Sequence, residues 1–386
     1  MLLRVLCVLS AAAGGHVYCC DASQPAAVVS QLTGPGALHD TTGANVRGCD
    51  LGIQFEHQGQ LWALFGDTFG NGSDFVDPHG ARTDWRSQTL ARERVSFDTR
   101  GDISVAATMW DRDSATDPSA RQLLHAGHDT SLQSELSVIP TAAWSDSNTV
   151  YVWYMSVKHF DGDVWTCNNA SVGTATGALD ATGFVKHDNT VVWPGSSNTL
   201  QFAVANIEVP SSPPPTQCVP DPRFVYLFGT PCGRLGPAQL LRVPKDSVLR
   251  ADAYEYLAKN SEWSRDPASA APVLPAGVGE LSVTWVPAVG RWLALYSAAG
   301  YHPSGKACGI VARIATCLWG EWSDERLIMS NASEIGPADP GVVYGGYTHP
   351  KLLKDNGEVY FAVSFHTTYD VHIAKVNLTE VFADLL

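Results

Sequence analysis

Leu61-Trp-Ala-Leu-Phe65, Val150-Tyr-Val-Trp-Tyr154, Phe224-Val-Tyr-Leu-Phe228, Trp292-Leu-Ala-Leu-Tyr296 and Val359-Tyr-Phe-Ala-Val363 are five versions of one pattern. Each is a short run of β-branched, aromatic and aliphatic residues, the composition that suits a pleated, half-buried surface. Each follows a turn signal: Gln58-Gly59, Ser147-Asn148, the Pro-rich stretch Pro210–Pro222, Val289-Gly290 and Asn356-Gly357. A run of this kind after a tight turn is the second arm of a β-hairpin. The first arms repeat as well: Asp50-Leu-Gly-Ile53, Glu135-Leu-Ser-Val138, Asn206-Ile-Glu-Val209, Glu280-Leu-Ser-Val283 and His349-Pro-Lys-Leu352. Their leading polar residues are 85, 71, 74 and 69 positions apart. A five-fold repeat of short strands predicts an all-β chain, a five-bladed β-propeller, rather than an irregular β-sandwich with accidental repeats. The propeller makes residues 19–386 one domain and Ser211-Ser-Pro-Pro-Pro215 a loop inside a blade. One helix is predicted, over Ser247–Lys259.

Composition agrees with this reading. Of 386 residues 45% are hydrophobic and 10% aromatic, with 34 Gly and 23 Pro to supply turns. That apolar content excludes disorder. The formal net charge of −14, with no Lys/Arg cluster, leaves no electrostatic footprint for nucleic acid or an anionic membrane. At the N-terminus, Arg4, the apolar run Val5–Leu9 and the small residues Ala11–Gly15 have the layout of a secretory signal, too short for a membrane span. Residues 1–18 are therefore expected to be removed and the protein to be secreted. Cleavage leaves eight cysteines: Cys19, Cys20, Cys49, Cys167, Cys218, Cys232, Cys308 and Cys317. Behind a signal peptide, an even count reads as disulfides. Near neighbours in sequence, Cys218–Cys232 and Cys308–Cys317, are candidate pairs. No zinc-type spacing occurs, and neither metal nor cofactor is expected. Four glycosylation sequons stand at Asn71, Asn169, Asn331 and Asn377.

In a propeller the innermost strands line a central channel, so corresponding strand ends converge. The five positions brought together would be Asp50, Glu135, Asn206, Glu280 and His349. Unpaired carboxylates are costly to bury, so three acids around one axis suggest chemistry. Asp67 adds a fourth. A two-residue turn at Gln58-Gly59 sets His57 opposite Gln60 and, seven positions further along each arm, Asp50 opposite Asp67. Like charges in that geometry repel and split their titration, which suits general acid–base work. Two carboxyls in an aromatic-rich cleft are the minimal equipment for glycoside hydrolysis. There is no Gly-x-Ser-x-Gly elbow and no His-Glu-x-x-His motif for a rival mechanism. Trp85, Arg86 and Arg234 are expected at the channel mouth, where an aromatic face and guanidinium donors suit a sugar.

At these residues the chain resembles glycoside hydrolase family 183, the former domain of unknown function 4185. The resemblance rests on Cys49-Asp-Leu-Gly52, Leu64-Phe-Gly-Asp-Thr-Phe-Gly70, Trp85-Arg-Ser87, Tyr226-Leu-Phe-Gly-Thr-Pro231 with Gly233-Arg234, Ala253-Tyr-Glu-Tyr256, Gly279-Glu-Leu-Ser-Val283 and Tyr344-Gly-Gly-Tyr-Thr-His-Pro350. Together they span about residues 34–380. The resemblance implies an endo-D-arabinanase acting on the arabinan of mycobacterial arabinogalactan or lipoarabinomannan, without cofactor. It implies Asp50 and Asp67 as the essential pair, with Glu280 a third catalytic candidate. Glu135, Asn206, Tyr347 and His349 are expected to meet the polysaccharide beside Trp85, Arg86 and Arg234. The cysteines and sequons depart from the bacterial members and look more like a eukaryotic secreted protein. The reading from another class is a non-catalytic glycan-binding propeller.

Overall fold

The computed structural model describes residues 25–72, 84–97, 103–110, 119–179, 183–206, 214–298, 309–330 and 342–386. The expected signal segment, Cys19, Cys20, Cys308 and Asn331 lie outside them. The described chain is mostly β-strand, in antiparallel groups that follow the sequence order. The first group is led by Gly48–His57 and Gln60–Phe69, the second by Ser137–Asp146 and Thr149–Asp161. The third begins with Gln201–Asn206 and Phe224–Thr230, and the fourth with Val278–Val286 and Arg291–Ala298. The fifth opens with Val343–Leu353 and Glu358–Phe365. All five predicted second arms fall inside second strands. The third and fourth groups are joined by a short parallel contact, Ala205 beside Val283 and Asn206 beside Thr284.

The leading strands are neighbours in a cycle. Gly48–His57 touches Ser137–Asp146, which touches Gln201–Asn206, then Val278–Val286, then Val343–Leu353, which touches Gly48–His57 again. The first described strand, Ala27–Gln31, completes the fifth group by pairing antiparallel with Asp370–Asn377.

The strands read as continuous apolar runs because both faces are covered. Arg291–Ala298 shows how. Leu293 and Leu295 join a cluster with Val359, Phe361 and Val363 of the fifth group. Trp292, Ala294 and Tyr296, on the opposite face, join Tyr226, Phe228 and Leu240 of the third. Period-two alternation thus sends alternate residues into two different cores. Trp285 and Trp292 stand opposite each other in the ladder and meet edge to face at 5.7 Å.

Two expectations are corrected. Ser247–Lys259 is not a helix: it holds the end of one 3₁₀ turn, Lys245–Ser247, another at Ala251–Ala253, and the strand Glu255–Leu257. Tyr254 and Tyr256 are buried against Trp153 and Trp193 of the second group, and that packing decides the local conformation. The disulfides also differ. Cys167 pairs with Cys232 and Cys218 with Cys317, so neither Cys218–Cys232 nor Cys308–Cys317 forms. Each bond links one strand group to the next in the cycle, so cysteines 65 and 99 positions apart come together. Cys49 is a buried free thiol. Among the described residues no helix is long and apolar enough to cross a membrane, and no cluster of His, Cys, Asp and Glu is placed to hold a metal ion.

Candidate active site

The first hairpin keeps the expected register from His57–Gln60 to Ile53–Leu64, then breaks it. Leu51 (φ 69°) and Gly52 (φ 89°) both take left-handed backbone, Leu51 faces Phe65, and regular pairing resumes at Cys49–Thr68. Asp50 and Asp67 therefore lie within a bulged segment rather than as a ladder pair, which corrects the direct opposition expected from counting. Bulges re-aim side chains next to functional sites. Here the Asp50 carboxylate lies over Gly66, where a Cβ would come within 2.3 Å of Oδ1.

The two aspartates line a cavity of about 290 Å³ with Glu280, Asp163, Arg234 and Gln201. Aromatic walls come from Phe160, Trp165, Tyr344, Tyr347 and Tyr369. Asp50 is buried, and its Oδ2 accepts hydrogen bonds from Tyr344 (2.9 Å) and Tyr369 (3.1 Å). Burial and then the Asp67 charge push its carboxyl up to about 8, despite the two tyrosine hydroxyls. Asp67 is held differently: Oδ1 accepts from Trp85 Nε1 (2.9 Å) and Ser137 Oγ (2.6 Å).

Glu280 is gripped by Arg234, whose Nε lies 3.0 Å from both carboxylate oxygens and whose second nitrogen lies 2.5 Å from Oε1. Burial works against the Glu280 charge, yet the guanidinium offsets it and holds the carboxyl below its ordinary range. Arg234 is itself fixed on all sides. Its centre lies 4.7 Å from the Trp165 ring and 5.3 Å from the Tyr344 ring, and its guanidinium is 3.6 Å from Asp163. Gly233 (φ 85°) makes this possible: a Cβ there would meet the Asp163 carbonyl at 2.5 Å. Burial raises the Asp163 carboxyl even beside Arg234.

The structure thus brings Asp50, Asp67, Glu280, Arg234 and Tyr347 into one cavity. The other expected residues lie elsewhere. Glu135 precedes its strand and braces a loop, accepting from Gly127 N (2.9 Å) and Ser156 Oγ (2.6 Å). Asn206 ends its strand rather than starting it and lines a smaller recess beside Ser282 and Thr348. His349 is fully buried with Nε2 3.3 Å from Glu93. Arg86 donates to the carbonyls of Ala120 (3.0 Å) and Asn45 (2.6 Å), tying loops together. Trp85 does not line the cavity but bonds to Asp67 and packs in one cluster with Tyr369. The residues that sequence reasoning missed are Gln201, Asp163, Trp165, Tyr344 and Tyr369. Tyr344 lies in a quoted motif, and Gln201 opens the strand whose end was mistaken for its start.

Residues 36–375 match the family described as a domain of unknown function, DUF4185, and the chain belongs to it. Its relatives include notoamide biosynthesis cluster protein J' of Aspergillus versicolor, 27% identical over 334 residues, covering 84% of this chain and 82% of that protein. Protein J of the notoamide biosynthesis cluster of Aspergillus sp. (strain MF297-2) is 26% identical over 336 residues, covering 84% and 80%. Among solved structures, a Bacteroides ovatus protein provisionally described as a hydrolase shares the fold, with TM-score 0.59, 12% identity and 89% of each chain covered.

Proposed function

We propose that this protein is a secreted glycoside hydrolase cleaving arabinofuranosyl linkages, an endo-D-arabinanase of the family 183 type acting on arabinan of mycobacterial-type arabinogalactan or lipoarabinomannan. On this reading the five strand groups are the blades of a five-bladed propeller and the cavity lies at its axis. The observation that carries the proposal is the pair of carboxyls with contrasting surroundings in one cavity. Asp50, protonated up to about pH 8, is the general acid that donates to the leaving glycosidic oxygen. Asp67, which accepts two hydrogen bonds, is the carboxylate that attacks the anomeric carbon or activates water. Glu280, kept charged by Arg234, stabilises positive charge developing on the furanose ring. Trp165 and the tyrosines supply flat faces for sugar rings.

Incubation with mycobacterial arabinogalactan and sizing of the released oligosaccharides tests this directly. Oligosaccharides from the native protein, and none from Asp50→Asn or Asp67→Asn, are expected. Binding without cleavage by the native protein would favour the glycan-binding reading instead.

A further inference from the structure

A chain of polar groups leads away from Asp67, on the side of the bond from Ser137. Ser137 Oγ is 2.6 Å from Asp67 Oδ1 and 2.9 Å from Ser87 Oγ, and Ser87 Oγ is 2.8 Å from His128 Nε2. Ser87 and Ser137 are fully buried, while His128 is half-buried. The direction of the chain follows from counting protons. An ionised carboxylate only accepts, so the single Ser137 proton goes to Asp67. Ser87 must then give its proton to Ser137, and His128 must donate through Nε2.

The imidazole is placed with care. It stacks on the Trp85 indole at 4.3 Å with the planes 5° apart, and that indole donates to the same Asp67 oxygen. His128 holds a left-handed backbone (φ 48°), rare for a residue with a Cβ. The loop around it is fastened by Glu135, which accepts from Gly127 N, and by Asp129, which accepts from Ser131 and Ser134. A strained residue held by several independent bonds is a pointer to function.

We propose that His128 is a positioning residue for Asp67, joined to it by a two-hydroxyl relay through Ser87 and Ser137 that passes a proton between cavity and solvent. The inference rests on Asp67 being the catalytic carboxylate. The relay has two states with the same number of protons. In one, Asp67 is ionised and His128 carries a proton on each nitrogen. In the other, Asp67 is protonated and His128 is neutral, protonated on Nδ1. Interconversion moves one proton across each link, from Nε2 to Ser87, Ser87 to Ser137 and Ser137 to Asp67, breaking and forming one N–H or O–H bond each time. Asp67 can therefore exchange its proton while a sugar fills the cavity. The charged groups facing His128 are Asp67 and Glu135, which favour its cation, and His125, which opposes it; burial outweighs them and lowers its pKa.

The test pairs kinetics with nitrogen-15 NMR of histidine-labelled protein. Ser137→Ala removes the link two bonds from the imidazole and leaves both Asp67 and Ser87 in place. The relay predicts that this variant loses the Nε2–H preference that neutral His128 has while Asp67 is ionised, and shifts the pH profile of kcat. It also predicts that kcat falls on the order of tenfold, less than the roughly 10²–10⁴-fold lost with a general acid or base itself, with KM within about twofold. His128→Gly is expected to fall similarly and to recover with imidazole added to the buffer. Wild-type tautomer populations and a wild-type pH profile in Ser137→Ala, with Asp67→Asn inactive, overturn the relay alone. An active Asp67→Asn overturns the active-site assignment and the relay's catalytic role with it.

Discussion

On the proposed function, replacing Asp50 by asparagine separates catalysis from stability, because the folded site favours the protonated carboxyl and penalises its ionisation as pH rises. Burial and then the Asp67 charge push its folded pKa up to about 8 from the ordinary 3.8. Between those values the folded state binds a proton that the unfolded chain has released, so stability falls as pH rises. At 1.36 kcal/mol per unit, the stability lost by pH 8 is on the order of 5 kcal/mol. Asparagine has no such ionisation and still offers an oxygen to the Tyr344 and Tyr369 hydroxyls. Urea denaturation of both proteins from pH 4 to 9 is the assay. The gap between them should open in favour of Asp50→Asn as pH rises and level off above about pH 8, while the cleavage proposed for the native protein is lost throughout. The opposite slope, with the native protein gaining on the variant as pH rises, would show Asp50 to be a stabilised structural carboxylate. An active variant would equally refute the acid role.

Tyr344→Phe removes a hydrogen bond that favours the Asp50 anion, at 2.9 Å. Bonds to charged groups are worth about 1.5–3 kcal/mol, so the alkaline limb of kcat should move up by about one to two pH units. Gly66→Ala puts a Cβ within 2.3 Å of Asp50 Oδ1 and 2.8 Å of Leu51 Cδ1; it should depress kcat at least tenfold, about the cost of a misplaced catalytic group, with far-ultraviolet circular dichroism unchanged. Arg234→Met strands the buried Glu280 carboxylate and should cost about 3–5 kcal/mol in urea denaturation at pH 7. Cys218→Ala with Cys317→Ala opens a closure spanning 99 residues and should destabilise by about 2–5 kcal/mol, read as a lower urea midpoint.

The hairpins were legible because turn residues and apolar runs are local signals, and all five second arms fell in strands. The aspartate pair was legible for the same reason: counting from Gln58-Gly59 reaches Asp50 and Asp67 whatever happens between them. The bulge at Leu51-Gly52 was hidden, since it follows from how the strand bends against its neighbours. In the fifth group the paired Gly345 and Gly346, both at positive φ, shift the register so that Tyr344 and Tyr347 rather than His349 reach the cavity. In the third, the Pro-rich loop drew the assumed strand start away from Gln201. Asp163 and Trp165 sit at the tip of a long hairpin, and where such a tip lands depends on the neighbouring group. The disulfides were out of reach for the same reason. They connect surfaces that only packing brings together.

The strand Ala27–Gln31, paired with Asp370–Asn377, gives the order of synthesis a meaning. Asp50 leaves the ribosome roughly three hundred residues before Tyr344 and Tyr369, whose hydroxyls hold it. Until those residues have been made, Asp50 lacks both of its tyrosine partners. Only when residues 369–377 emerge can the first strand find its partner and the carboxyl find its tyrosines. The pairing of these two strands and the full set of hydrogen bonds on Asp50 therefore come about together. Pairings so distant in sequence are slow to form, so the two hydrogen bonds that hold Asp50 belong to the late steps of folding.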